Sequence, residues 1–312
     1  MSESLTTRAY RPADPRGIVC GPIREHTAGV STEATSHVPA AAPTDRAPLL
    51  TWLILPTLVA AIGLASWALL TRSPLPRPAA SSLPLLACAL VIWGLEYRFP
   101  AQRAWNRRPD TKDLVLLVVN RLVDAALLAT MVTAVAMVTE RFGLALPWPR
   151  HWPVPAQVAL GIGIAETIRY ALHRWSHRPG FLWRVHRTHH EPDRMYVLNG
   201  PRLHPVNYLW VAGAHGVTTL ALGADLDVVL VLVNVTALFV IFQHANLDLR
   251  FDGLNRIFAT PDVHRLHHAR DMPARGVNYS VVLVFIDRLF GTYAPPRPIS
   301  ADGIGMSDVS SR

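Results

Sequence analysis

Long apolar runs, separated by short polar or basic loops, make up most of the chain beyond residue 48. A helix needs about 20 apolar residues to cross a bilayer, and several of these runs approach or exceed that length. The last two runs flank a Gly-Ala-Asp turn and indicate a helical hairpin. The pattern predicts an all-α, integral membrane bundle of about 4–6 transmembrane helices. The runs are 49–70, 83–95, 114–138, 154–172, 206–222 and 226–242.

The two ends of the chain lack this pattern. Residues 1–45 are rich in Pro, Ala, Ser, Thr and Arg, a composition typical of disordered segments. The polar stretch 296–312 predicts a second disordered tail. Between them, 46–82 is interpreted as a first transmembrane helix with its loop, and 83–295 as the domain that carries the chemistry. The N-terminus has no apolar stretch like that of a signal peptide.

Charge and cysteine content narrow the class of protein. Half of the residues are hydrophobic and 17% are charged, against about 25% charged in soluble proteins. The net charge of +8 comes from arginines in loops, which indicates membrane topology rather than a nucleic-acid surface. If the basic loop 98–112 is cytoplasmic, both termini and the clustered histidines are cytoplasmic too. Cys20 and Cys88 predict neither a disulfide framework nor a cysteine metal site.

Histidines cluster at helical spacing. His173 and His177 are four residues apart, and the pattern HxxHH occurs at 186–190 and again at 264–268. Residues three or four apart share a helix face. Up to ten imidazoles exceed what one ion binds, so the sequence predicts two metals, and imidazole suits iron, zinc or copper. The predicted ligands are His173, His177, His186, His189, His190, His204, His244, His264, His267 and His268.

Two common metal sites are excluded. Arg174 stands where the zinc proteases have the glutamate of HExxH, and no ExxH pair of the carboxylate-rich di-iron bundles occurs. His204 has an alternative role, because a histidine before Pro205 can cap the next helix. Thr260 and Pro261 predict that a helix begins at the third cluster.

These motifs resemble the three histidine boxes of the fatty acid hydroxylase/sterol desaturase superfamily. HRWSH, HRTHH and HRLHH match the boxes, and RLHP at 202–205 and FQHAN at 242–246 add support. The likeness covers roughly 83–295. It implies a membrane enzyme with two irons that uses O₂ to hydroxylate, oxidise or desaturate a C–H bond of a sterol-like, fatty acyl or other lipid. We expect such a protein in a bacterial cell membrane.

Glu166 and Tyr170 lie on the same apolar helix as the first box and share its histidine face. A carboxylate there is costly unless it has a partner. Our hypothesis is that Glu166, with Tyr170 beside it, orients a metal-bound histidine or water; the alternative is a pairing with Arg169 or with a neighbouring helix. Asp287 is predicted to pair with an arginine.

The predicted partners follow from the chemistry. A lipid substrate would enter from the bilayer. Because the chain carries no haem-binding HPGG segment and no cysteine cluster, electrons would come from a separate ferredoxin or a cytochrome b5-type donor with its reductase. Arginines near the boxes would bind an acidic donor or lipid phosphates. The rival functions are a bis-histidine haem protein, a metal transporter and a non-enzymatic histidine-rich metal-binding protein.

Overall fold

The apolar runs form helices in the computed structural model, which describes residues 48–144, 146–249, 251, 253–272 and 276–306. The tail predicted at 1–45 lies outside them. Among the described residues, extended pairing is limited to three isolated bridges. The helices are α1 Pro48–Arg72, α2 Arg77–Arg98, α3 Thr111–Phe142, α4 Val154–Ser176, α5 Phe181–His190, α6 Pro205–Ala221, α7 Leu226–Gln243, α8 Pro261–His267 and α9 Phe285–Leu289.

Four helices, α1, α2, α3 and α7, are long and apolar enough to cross a membrane. In the most apolar 18-residue stretch of α7, 72% of the residues are buried, whereas none is buried in the corresponding stretch of α3. A helix that is apolar all round belongs in an interior, and α7 accordingly packs against α1, α2, α4 and α6. The predicted all-α bundle with membrane-crossing helices is confirmed.

Helix α2 is longer than its apolar run of 83–95 suggests. It begins at Arg77 and ends at Arg98, with Pro78 in its first turn, where a missing N–H costs nothing. The polar residues at both ends extend the helix to 22 residues, so the short apolar run does not set its length.

The predicted C-terminal tail, 296–312, is not disordered as far as residue 306. Ile299 and Ile304 are buried against Trp105. The Nε2 of Gln102 donates to the carbonyl of Ile299 at 2.9 Å, and the indole N–H of Trp105 donates to that of Ala301 at 2.8 Å. This stretch therefore packs against the loop that precedes α3.

Candidate metal centre

Four helices bring the clustered histidines to one place. His173 lies in the last turn of α4, and His177 and His244 follow the ends of α4 and α7. The second box ends α5, which begins after Gly180, whose φ of 127° allows the sharp turn. The third box ends α8, which starts at Pro261 as predicted.

The histidines form two groups in which the nearest ring nitrogens all lie within 4.8 Å of one another. Each HxxHH box contributes to both groups. Histidines four residues apart fall in the same group, as do His186 and His190 or His264 and His268. The remaining histidine of each box, His189 or His267, belongs to the other group. Group one is His173, His177, His186, His190 and His267; group two is His189, His244, His264 and His268.

Backbone carbonyls fix the orientation of several rings. The Nδ1 atoms of His173, His267 and His244 lie 2.6 Å from the carbonyl oxygens of Tyr279, Val277 and Val240, respectively. A carbonyl only accepts, so Nδ1 carries the hydrogen and Nε2 presents a lone pair. Such hydrogen bonds are typical of metal-binding histidines.

The distances between rings fit shared metal ions. Nε2 atoms lie 3.1–3.2 Å apart in five pairs, each within one group. In the pair His189 and His244, both Nδ1 atoms face carbonyls, so neither Nε2 has a hydrogen to share. Two nitrogens held about 2.1 Å from one ion are about 3.0 Å apart at a right angle and about 3.4 Å at the tetrahedral angle. The residues therefore fit two metals.

The surroundings keep these imidazoles neutral. Burial lowers the pKa of His186 to about 4 and that of His267 to about 3. Only the neutral ring binds a metal. His177 is the half-buried member of the two groups, and the ring of Trp183 lies 5.5 Å from it.

One predicted ligand is placed elsewhere. His204 belongs to neither group; its Nδ1 accepts the N–H of Val206 at 3.2 Å, at the start of α6. The capping role, not the ligand role, is what the structure gives this residue. The geometry brings the other nine predicted ligands together.

Glu166 and Tyr170 are buried, but neither bonds directly to a histidine. One carboxylate oxygen of Glu166 accepts the N–H groups of Val281 and Val282 at 2.6 and 2.7 Å. The hydroxyl of Tyr170 lies 2.9 Å from that of Thr292. Among the described residues, the carboxylate of Glu166 thus bonds to backbone rather than to a histidine ring.

Asn207 and Asp113 support the site and were missed by sequence reasoning. Asn207 Oδ1 lies 2.8 Å from His186 Nδ1. Arg202, whose carbonyl faces His189, donates to the fully buried Asp113 at 2.5 Å. Asp113 lies 89 residues earlier on α3, so no local pattern could have linked it to the site.

A cavity of about 30 Å³ adjoins both groups. Its walls include histidines of each group, the apolar side chains of Leu203, Val211 and Val240, and the buried Gln243. The space suffices for one or two water-sized molecules, since about 15 Å³ holds one.

A helical bundle with four helices of membrane-crossing length and two converging imidazole groups defines a histidine-box membrane protein. Residues 158–292 match the fatty acid hydroxylase family. The ornithine lipid hydroxylase OlsE of Rhizobium tropici is 35% identical over 233 residues, which cover 71% of this chain and 69% of that protein. The chain belongs to the fatty acid hydroxylase family and is an enzyme of the oxygenase class.

More distant relatives share part of this region. Human alkylglycerol monooxygenase is 27% identical over 177 residues, or 56% of this chain and 38% of that protein. The very-long-chain aldehyde decarbonylase GL1-11 of Oryza sativa subsp. indica is 28% identical over 150 residues, or 47% and 56% of the two chains. No solved structure matches the chain.

Proposed function

We propose that the protein is an O₂-dependent di-iron enzyme that hydroxylates a C–H bond of a membrane lipid. The observation that carries this proposal is the pair of imidazole groups, whose Nε2 lone pairs converge while carbonyls hold several Nδ1 atoms. Zinc has no redox chemistry, whereas attack on an unactivated C–H bond needs a metal that activates O₂. Iron, the metal used by oxygenases of the family that the chain matches, is therefore the proposed metal in both groups.

Bound iron would supply the oxidising chemistry: one O₂, two electrons and two protons convert a C–H bond into C–OH and release water. The chain's own residues hold the metals and exclude solvent. Neutral imidazoles bind without competing protons, and their hydrogen-bonded Nδ1 atoms prevent ring rotation. The apolar walls of the cavity, including Leu203, Val211 and Val240, keep bulk water away from the reacting bond.

The proposed substrate is a membrane lipid with a long hydrocarbon chain and a polar head group. The Rhizobium tropici relative is named for ornithine lipid and the human relative for alkylglycerol, and both names describe oxygen insertion. These names favour hydroxylation over desaturation. A bilayer lipid is also the natural substrate for a site carried by helices of membrane-crossing length.

We place the histidine site and both termini on the cytoplasmic side of a bacterial cell membrane, with several helices crossing it. The basic loop 98–112 supports this orientation. A separate ferredoxin or cytochrome b5-type donor with its reductase would supply electrons. Arg174, Arg178 and Arg184, which lie within seven residues of His177 in the sequence, are exposed, and they support binding of an acidic donor there.

The test combines metal analysis with turnover. We expect purified protein to bind two irons per chain and, with a reducing system and membrane lipids, to give a product that carries one oxygen atom from labelled O₂. The variant His264→Ala should give no labelled product. Haem absorbance, or unchanged lipid despite two irons and a competent electron supply, would refute the proposal in favour of a non-enzymatic metal- or haem-binding protein.

A further inference from the structure

A buried segment, Val277–Leu283, lies against group one; we call it the strap. Its Val277 carbonyl faces Nδ1 of His267, and its Tyr279 carbonyl faces Nδ1 of His173, both at 2.6 Å. In group two, the Nδ1 atoms of His189 and His244 face the carbonyls of Arg202 and Val240, which lie outside the strap. The position of the strap therefore sets the orientation of two group-one rings.

Two buried carboxylates hold the strap by five consecutive backbone N–H groups. Asp287 accepts those of Tyr279 and Ser280, one on each of its oxygens, at 2.8 and 2.9 Å. Glu166 accepts those of Val281, Val282 and Leu283 on a single oxygen, at 2.6, 2.7 and 3.4 Å. Among the described residues, Asp287 therefore bonds to backbone and not, as predicted, to an arginine.

The strap is also fixed at its other end. Asn278 has a φ of 54°, the one positive value among the described residues other than glycine. Its side-chain nitrogen donates to the carbonyls of Val263 and Ala294, each at 3.0 Å, and its oxygen accepts the N–H of Ala294 at 2.8 Å. A residue outside its favoured backbone region persists only where its surroundings hold it.

Burying two carboxylates is expensive. Glu166 is 1% and Asp287 0% exposed, and a buried charge is costly unless hydrogen bonds satisfy it. Pairing with a neighbouring β-strand would satisfy the same N–H groups without burying a charge. In that case, however, the register of the neighbouring strand, and not the two carboxylates, would fix the positions of the carbonyls of Val277 and Tyr279.

We propose that Glu166 and Asp287 are positioning residues of group one, which act through the strap on His173 and His267. The inference rests on the proposed metal centre. Neither carboxylate is a ligand; each fixes the backbone whose carbonyls orient the rings. Their loss weakens the metal in group one and leaves the metal in group two bound.

The two carboxylates use their oxygens differently, and this difference gives a sharp test. Glu166 receives all three N–H groups on Oε1, and Oε2 accepts no hydrogen bond from the described residues. Glu166→Gln keeps one oxygen and therefore preserves the three hydrogen bonds to the strap. Asp287 uses both oxygens, so Asp287→Asn turns an amide N–H toward a backbone N–H and breaks one of its two bonds to the strap.

The experiment measures iron per chain and iron affinity in detergent for the wild type, Glu166→Gln, Glu166→Ala and Asp287→Asn. We expect the Gln variant to bind two irons. The Ala and Asn variants should bind one tightly and the second about 10–100-fold more weakly, the usual effect of losing such support. The matched control is Asn234→Ala: Asn234 is buried and donates to Ser66 and Ser81 at 2.9 and 2.7 Å, far along α7 from His244, and its loss should leave two irons bound.

Each other outcome is decisive. Two tightly bound irons in Glu166→Ala and Asp287→Asn would overturn the inference. So would equal loss of both irons, or a Gln variant that behaves like the Ala variant. If the wild type itself binds fewer than two irons, the proposed function fails instead. If it binds two irons but yields no lipid product, the function fails while the positioning role is still measured.

Discussion

Gly200 gives the sharpest prediction about group two. It follows the single turn Val197–Asn199, and its backbone passes close to α7. A Cβ at this position would lie 2.8 Å from the carbonyl oxygen of Val240 and 3.2 Å from the Cα of Ile241. The Val240 carbonyl is the group that holds Nδ1 of His244 at 2.6 Å. Gly200→Ala therefore pushes directly on the partner of a predicted ligand.

The magnitude follows from the geometry. Gly200 has φ −54° and ψ −53°, which alanine adopts freely, so the backbone alone would favour alanine by about 0.4–1 kcal/mol. Relief of the contact needs a shift of about 0.5 Å, since carbon and carbonyl oxygen rest about 3.3–3.6 Å apart. Both opposing atoms are backbone and cannot rotate away. Overpacking of this kind costs about 1–3 kcal/mol, so the net change is a loss of about 1–2 kcal/mol.

The assay follows unfolding and iron binding in detergent, with Gly163→Ala as the matched control. A Cβ on Gly163, in α4, meets no atom within 4 Å, and alanine in a helix is favoured by about 1 kcal/mol. We expect opposite signs: Gly163→Ala stabilises and keeps two irons. Gly200→Ala destabilises and weakens one iron about 10–100-fold through the displaced His244. Wild-type stability with two tightly bound irons in Gly200→Ala would refute the reasoning.

Further predictions concern single ligands and pH. His264→Ala leaves three imidazoles in group two and should reduce the iron content from two to one, whereas His204→Ala should cost about 1 kcal/mol as a lost cap and keep both irons; equal iron in the two variants would contradict the assignment. Asn207→Leu removes the acceptor for His186 and should weaken one iron about 10–100-fold, so unchanged affinity in a metal titration would count against that role. Acid should unfold the metal-free protein: the pKa of His186 is lowered to about 4 and that of His267 to about 3, against about 6.5 when unfolded. Between these values the unfolded chain binds more protons, so stability falls as pH falls, by on the order of 2 kcal/mol per pH unit near pH 5 for these two groups. A denaturation midpoint that does not change between pH 7 and pH 5 would contradict this prediction.

Local patterns in the sequence were sufficient to predict the helices and nine of the proposed ligands. Periodicity of 3.6 residues places His173 and His177, or His264 and His268, on one face. The partition into two groups was not predictable, because it depends on how α4, α5, α7 and α8 pack. The same holds for His204, whose alternatives, cap or ligand, differ only in what the folded chain brings near it.

The carboxylates and the C-terminal residues show a second limit. Glu166 was singled out because a charge in an apolar helix needs a partner, but the partner is backbone more than a hundred residues later. Backbone N–H groups occur at nearly every position and leave no sequence signal. Ile299 and Ile304 are too sparse to form a periodic pattern, yet two buried side chains and a few hydrogen bonds suffice to hold 296–306.

The division of each HxxHH box has a geometric cause. Residues advance by about 100° per position around a helix. The first and last histidines of the box are therefore about 40° apart, and the one between them lies roughly 80° from their midpoint. One helix can thus direct the first and last histidines of its box toward one metal and the histidine between them toward the other.

Because α5 and α8 both do this, each helix bridges the two groups. Helices of 10 and 7 residues are too short to be stable alone, since isolated helices need about 12–15 residues. Their contacts with α4, α6 and α7 therefore hold α5 and α8 in place before any metal binds. The two sites should accordingly fill independently, and a cooperative titration would show that the metals themselves order α5 and α8.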